Sequence, residues 1–274
     1  MFDFDAAIAQ SEKDAKSPLI EAIVLAPSGG GKSYLAGTFD CKTLYLYASG
    51  ENHGVKAART EGRSNVVPVC IDLDGASADD AIANLLTVLR DYERVKRMGF
   101  GAVVVDGASE LEVLIRNSTA WKKACQTAKG GHNTFAEPTE TLNCFRPIVT
   151  AMKDLQRATG VHFYMTCIID VKDMGPNGEI TEASPRLKGY SVAEGLIQQF
   201  GDILVVGRME KNGEVRHKVQ FATTLTKKSS DEKGTIKRIL NFSPRISGFA
   251  VHELPEIADA SMKQIAEVKA KKFA

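Results

Sequence analysis

The sequence predicts an α/β fold, a mainly parallel β-sheet flanked by helices, and three observations carry that prediction. Short apolar runs at residues 20–25, 43–47, 66–71, 101–106, 161–169 and 202–206 alternate with stretches of helical periodicity. The first run leads straight into Ala26-Pro27-Ser28-Gly29-Gly30-Gly31-Lys32-Ser33, with Tyr34, Leu35 and Ala36 able to continue as a helix. A second run, Val103-Val104-Val105, is β-branched and ends on Asp106.

Taken in order, residues 1–18 are polar, rich in Lys, Asp and Glu from Ser11 to Ser17 and closed by Pro18, and read as an N-terminal arm. The strand, Gly-rich loop and helix that follow have the order of a phosphate-binding P-loop, whose backbone N–H groups face an anion. Pro27, Ser28, Gly29, Gly30, Gly31, Lys32, Ser33 and Tyr34 are the candidate nucleotide-binding residues, Lys32 for the β- and γ-phosphates and the Ser33 hydroxyl for Mg²⁺. The strict pattern has Gly where this chain has Ala26, but the three glycines before Lys32 leave the backbone its freedom.

Residues 43–47 form the second strand, and Gly50-Glu51 just past its end occupies the position where α/β sheets bind ligands. Glu51 is thus a candidate catalytic base, or else a solvated loop carboxylate. Residues 66–71 form a strand whose Pro68 favours a sheet edge. Ser77 and Asp80 then cap a helix with Ile82, Leu85, Leu86, Leu89 and Tyr92 on its core face. The strand ending at Asp106 matches a Walker B strand, whose carboxylate fixes Mg²⁺ through its water shell. Glu110, in the first turn of the next helix, is a second candidate base or a carboxylate that stabilises the helix dipole.

Periodicity is lost over residues 117–138. Trp121-Lys122-Lys123 and Lys129-Gly130-Gly131 suit either a mobile loop that stacks on a base and pairs with phosphates, or a Trp anchor packing the preceding helix. Helix returns over residues 142–159, with Pro147 in or near its first turns. The strand at residues 161–169 places Thr166 and Asp170 where they could sense a γ-phosphate. Residues 173–190 read as a long irregular segment, and such segments in compact domains tend to be functional. From about residue 207 a β-hairpin extension is signalled by Asn212-Gly213, with a polar loop over 227–234 and a strand over 235–242. Pro255 opens a terminal helix over residues 255–274.

The chain's 274 residues carry a formal net charge of +1, so any surface for nucleic acid must be a local patch, and Arg208, Lys211, Arg216 and Lys218 begin one in the hairpin. With no apolar stretch of membrane-spanning length and no basic-apolar leader, the expectation is a cytoplasmic protein without a membrane partner. Five cysteines without a C-x-x-C pair read as free thiols, and Cys125, His132 and Cys144 fit no closed zinc pattern.

The order of Gly-rich loop, strand plus Glu51, Asp106 strand, sensor strand, loop, strand and hairpin resembles the RecA-like P-loop NTP-binding proteins of bacteriophages, including the single-strand-annealing recombinases. The resemblance covers about residues 19–242, within an expected ATPase domain over 19–254. It rests on Pro27 to Ser33, Ser49-Gly50-Glu51, Val103 to Asp106, and Pro185 with Gly189 leading to Phe200-Gly201-Asp202. It implies a RecA-like core, hydrolysis of ATP with Mg²⁺, weak or stimulated by a partner, and a homo-oligomeric ring or filament. It also implies single-stranded DNA as partner, a single-strand-binding protein beside it, and the cytoplasm of a bacterial host if the chain is phage-encoded. In that picture Glu51 polarises the attacking water, Thr166 or Asp170 reports on the γ-phosphate, and Arg186, Lys188 or Arg208 completes a neighbour's site. DNA would meet Trp121, Lys122, Lys123, Lys129, Arg186 and Lys188. The other readings are a P-loop accessory or assembly protein without DNA binding and, last, a small-molecule kinase, for which no Arg-rich lid is present.

Overall fold

The computed structural model describes residues 19–174, 180–211, 214–221, 223–230, 236–243 and 261–273, with Asp5 and Ala9. Its chain order is β1 (Glu21–Ala26), α1 (Lys32–Ala36), β2 (Thr43–Tyr47), α2 (Asn52–Ala58), β3 (Val66–Cys70), α3 (Ala78–Arg90), α4 (Tyr92–Arg97), β4 (Ala102–Asp106), α5 (Ala108–Asn117), α6 (Thr119–Ala124) and α7 (Glu137–Thr159). There follow β5 (His162–Met174), β6 (Ile180–Pro185), α8 (Tyr190–Ile197), β7 (Asp202–Lys211), β8 (Glu214–Phe221), β9 (Thr223–Ser230), β10 (Ile236–Ser243) and α9 (Met262–Phe273).

Six strands pair in parallel in the order β3-β2-β4-β5-β1-β7, and β8 adds antiparallel to β7. Because strand side chains alternate between faces, each strand feeds two cores. Ile23, Leu25, Val103, Val105, Phe163 and Met165 meet α3 to α8 on one face. Ala22, Val24, Tyr45, Val104 and Tyr164 meet α1, α2 and α9 on the other. Burial on both faces is why these strands are apolar runs rather than alternating ones.

Pro68 lies on β3, an edge of the parallel sheet, where its missing N–H leaves no ladder bond unmade. Ser77 caps α3, its Oγ accepting from the Asp80 amide at 3.1 Å. Tyr92 belongs to α4, which Asp91 caps in turn. The long helix begins at Glu137, five residues before the position that periodicity suggests, because Pro138 sits in its first turn, where a missing N–H costs nothing. Pro147 therefore falls inside the helix.

The described residues among 173–190 are more regular than their composition suggests. β5 runs on to Met174 and pairs antiparallel with β6, which also pairs β10, and β10 pairs β9. Thus β9 extends through Lys227 to Ser230, where a polar loop was expected, because these residues find a partner strand in β10. β7 and β8 pair from Leu204↔Phe221 to Lys211↔Glu214, and the Asn212-Gly213 turn lies outside the described residues. So do the N-terminal arm, apart from two residues, and residues 255–260 of the anticipated terminal helix. Among the described residues no helix is long and apolar enough to cross a membrane.

Helix α9 is fastened to the amino edge of the sheet. Met262 and Ile265 are buried in the second core, and Lys269 Nζ donates to Asp202 Oδ2 at 2.5 Å and to the Leu19 carbonyl at 2.7 Å. Asp202 Oδ2 also accepts the Glu21 amide at 2.9 Å. With both side chains about nine-tenths buried, removal of one leaves the other as an uncompensated charge. Lys269→Ala should cost about 3 kcal/mol in chemical denaturation. A change below about 0.5 kcal/mol, the range of an exposed surface pair, would show that the clamp does not hold α9.

Candidate functional site

The carboxyl ends of β1, β2, β4 and β5 bring together the Gly-rich loop, Glu51, Asp106 and Thr166. In the loop, the Gly30 amide donates to Pro27 O at 2.9 Å, and Gly29 and Gly31 take left-handed φ values of 71° and 94°. Gly30 has a different constraint: a Cβ there would lie 2.9 Å from Pro27 O and 3.0 Å from the Ala26 methyl. Ala26 is accommodated at the loop entrance because Gly30 leaves its methyl room.

Lys32 and Ser33 open α1, only 8% and 7% exposed. The Tyr164 hydroxyl donates to the Lys32 carbonyl at 2.5 Å and anchors the start of the helix to β5. Among the described residues no hydrogen bond or ion pair takes the Lys32 ammonium. Lys32 as a whole residue is nearly buried, and its charge bears on the Glu51 carboxyl.

Asp106, 2% exposed, is a hydrogen-bond hub. Ser33 Oγ donates to its Oδ2 at 3.1 Å, the Tyr45 hydroxyl donates to the same oxygen, and Thr166 Oγ1 donates to Oδ1. Strand periodicity explains the convergence. Tyr45 pairs with Val104, two residues before Asp106, and Val104 pairs with Tyr164, two residues before Thr166, so all face α1. Burial and the charge of Asp106 push the Tyr45 hydroxyl well above its ordinary pKa, which keeps it a donor. Burial likewise raises Tyr164. The sequence reading missed Tyr45 and Tyr164, although counting back by two from Tyr47 and Thr166 would have placed them on this face.

Glu51 ends a 3₁₀ turn, Ser49–Glu51, that follows β2. Burial and the charge of Asp106 raise its carboxyl pKa, Lys32 opposes the rise, and Glu110 adds to it. A Cβ on Gly50 would lie 3.2 Å from Glu110 Oε1, and one on Gly107 3.7 Å from Glu51 Oε1. Glu51 therefore stands within the field of Lys32 and Asp106, with Glu110 beside it.

The remaining predicted residues are placed as follows. Tyr34 stacks under Arg63, whose guanidinium carbon is 4.3 Å from the ring centroid. Asp170 lies beyond Thr166 on β5 and is engaged by Arg186 through contacts of 2.6 and 3.1 Å. These two candidates thus satisfy each other, and Arg186 holds the Asp170 carboxyl below the usual range. Lys188 is exposed, while its amide donates to both oxygens of buried Glu112 at 2.9 Å. Trp121 is the anchor rather than the stacking platform: it is 5% exposed, its indole N–H donates to Thr141 Oγ1 at 2.9 Å, and Arg116 covers its ring. The segment beside it, for which a mobile loop was one of the two readings, forms a closed turn, with Thr127 N donating to Gly131 O at 2.8 Å and a bridge between Gln126 and His132. Lys122, Lys123 and Lys129 are exposed, and Phe135, 95% exposed, is the aromatic that this segment presents.

Among the described residues no group of three or more His, Cys, Asp or Glu side chains is arranged to hold a metal ion. His132 instead meets Glu137 at 2.6 Å, and that contact, with Arg116, holds the Glu137 carboxyl down at about 2.

The fold defines an α/β protein with a six-stranded parallel sheet flanked by helices. No protein-family model and no curated protein matches the sequence.

The hub is closely packed against α2. A Cβ on Gly54 would lie 2.2 Å from Asp106 Oδ2, 2.9 Å from the Tyr45 hydroxyl and 3.1 Å from Ser33 Oγ. Gly54→Ala should therefore destabilise the protein by about 1–3 kcal/mol, the usual penalty of overpacking, as read by denaturant unfolding. Unchanged stability would mean that the hub yields without cost.

Proposed function

We propose that the protein is a RecA-type P-loop nucleoside triphosphatase. The observation that carries this reading is Lys32, whose ammonium takes no hydrogen bond or ion pair among the described residues, directly before Ser33, itself hydrogen-bonded to Asp106. Lys32 binds the β- and γ-phosphates, and Gly29 to Gly31 give the loop backbone the conformation to approach them. Ser33 and Asp106 fit a hard cation that keeps most of its water and takes few protein ligands, and Mg²⁺ bound there supplies charge neutralisation on the phosphates. Glu51 accepts the proton of water as its oxygen bonds to the terminal phosphorus and the bridging P–O bond breaks, and Thr166 keeps the Asp106 carboxylate oriented.

Two substitutions separate binding from chemistry. Lys32→Ala should abolish nucleotide binding in calorimetry, and unchanged binding and turnover would overturn the reading. Glu51→Gln should bind ATP as the parent does and lose at least about a hundredfold in turnover, the usual share of a general base. Because the base must be ionised, turnover falls as pH drops through the Glu51 pKa. Burial and Asp106 raise that pKa, so the acid limb should lie above the ordinary glutamate range. A limb at or below that range would remove Glu51 from the role.

The partner proposed for this activity is single-stranded DNA, met by exposed Lys122, Lys123, Lys129 and Lys188, with Phe135 offering the base-stacking face that buried Trp121 does not. Labelled single-stranded oligonucleotide should bind in anisotropy titrations, more tightly with ATP, and weaken with salt at a slope of about −0.7 per phosphate contact. Absence of binding at low salt would overturn the DNA half of the proposal and leave a nucleotide-dependent assembly role.

A further inference from the structure

Three carboxylates crowd the proposed catalytic edge, and one of them must stay where mutual repulsion does not favour it. Glu51 lies in the field of Asp106 and Glu110, with Lys32 as the opposing charge. Asp106 is fixed by three hydroxyls, whereas among the described residues no hydrogen bond or ion pair engages the Glu51 carboxylate itself. What fixes Glu51 is the short turn that bears it, and that turn has an uncommon support.

The residue before the turn, Ala48, has no side chain to cap it. The cap comes from the neighbouring strand instead. Asp72, just past the end of β3, accepts the Ser49 amide on Oδ1 at 2.6 Å and the Ser49 hydroxyl on Oδ2 at 2.8 Å. Cys70 Sγ donates to Oδ1 at 3.1 Å and braces the same carboxylate from the strand side. Pairing of the two strands continues past their ends, with the Ile71 amide donating to Tyr47 O at 2.9 Å, so Asp72 and Ser49 are brought level by the sheet. From Ser49 the turn closes when the Glu51 amide donates to Ala48 O at 2.8 Å. The two-point grip on Ser49 thus sets the direction in which Glu51 leaves the sheet.

We propose that Asp72 is a positioning residue for Glu51, holding the base against the repulsion of its neighbouring carboxylates by a bidentate cap on Ser49. The inference rests on the triphosphatase reading, because it assigns how that base is held. It also predicts a graded series. Asp72→Asn keeps one acceptor oxygen and loses the other, Asp72→Ala loses both, and Ser49→Ala removes only the hydroxyl arm.

The test combines steady-state kinetics with hydrogen exchange on the full chain without nucleotide. Asp72→Ala should lower kcat about tenfold to a hundredfold, the scale of a base misplaced by about an ångström, and leave ATP affinity unchanged. Asp72→Asn and Ser49→Ala should fall between it and the parent, and Ser49→Ala with Asp72→Ala should be no worse than Asp72→Ala alone. In a Glu51→Gln background, Asp72→Ala should cause no further loss. Independently of activity, the amides of Ser49 and Glu51 should exchange faster in Asp72→Ala while those of β1 and β4 keep their protection. Unchanged kcat with unchanged exchange at Ser49 overturns the inference. So does a loss of ATP affinity that matches the loss of turnover, which would mark a merely structural role. Failure of the parent itself to bind ATP would instead overturn the triphosphatase reading, and the exchange experiment would still decide whether Asp72 holds the turn.

Discussion

The Asp106 carboxylate is the point on which the carboxyl edge depends. It is nearly buried, and burial of a carboxylate is tolerable only where its oxygens are supplied with donors. The donors come from three separate elements: Ser33 from α1, Tyr45 from β2 and Thr166 from β5. One side chain therefore fixes the distance between the Gly-rich loop and two strands that are far apart in sequence. The fit leaves no space for a methyl group at Gly54, so α2 is bound into the same arrangement.

Strand order makes that convergence possible. β5 lies between β1, which carries the loop, and β4, which ends in Asp106. Its residue Thr166 is level with Val24 on one side and adjacent to Asp106 on the other, while Tyr164 reaches the Lys32 carbonyl. The strand inserted between loop and acid thus contributes one hydroxyl to each. A sheet with β1 and β4 as direct neighbours would lose both contacts, and Lys32 would have no such anchor under its backbone.

Part of the fold was legible in the sequence where a short motif fixes local conformation. The Gly-rich loop, the Asp106 strand, the edge position of Pro68 and the Ser77 cap are local statements, and local sequence carries them. Contacts made across strands were not legible. Asp72 has no motif of its own, and its meaning comes only from the β2–β3 pairing that sets it beside Ser49. Residues 173–190 were misjudged for a related reason: Gly, Pro and charged residues look irregular singly, yet β5 and β6 gain their order from each other. Trp121 shows the converse. Two neighbouring lysines suggest an exposed surface, but Thr141 and Arg116, distant in the chain, enclose the indole.

The edge also divides into a part that is held and a part that is poised. Lys32, Ser33, Asp106 and Thr166 are nearly buried, and Ser33 and Thr166 are tied to Asp106; in the proposed triphosphatase this part would receive the phosphates without reorganising. Glu51 is half-buried, with its carboxyl raised by burial and like charge. A base is useful when its affinity for a proton is higher than that of an ordinary exposed carboxylate and it still ionises near neutral pH. The same crowding that raises that affinity also pushes Glu51 away from Asp106, so a mechanical restraint on its turn is the counterpart of the role proposed for it. The neighbouring strand supplies that restraint at Asp72, outside the group of residues that would touch the nucleotide.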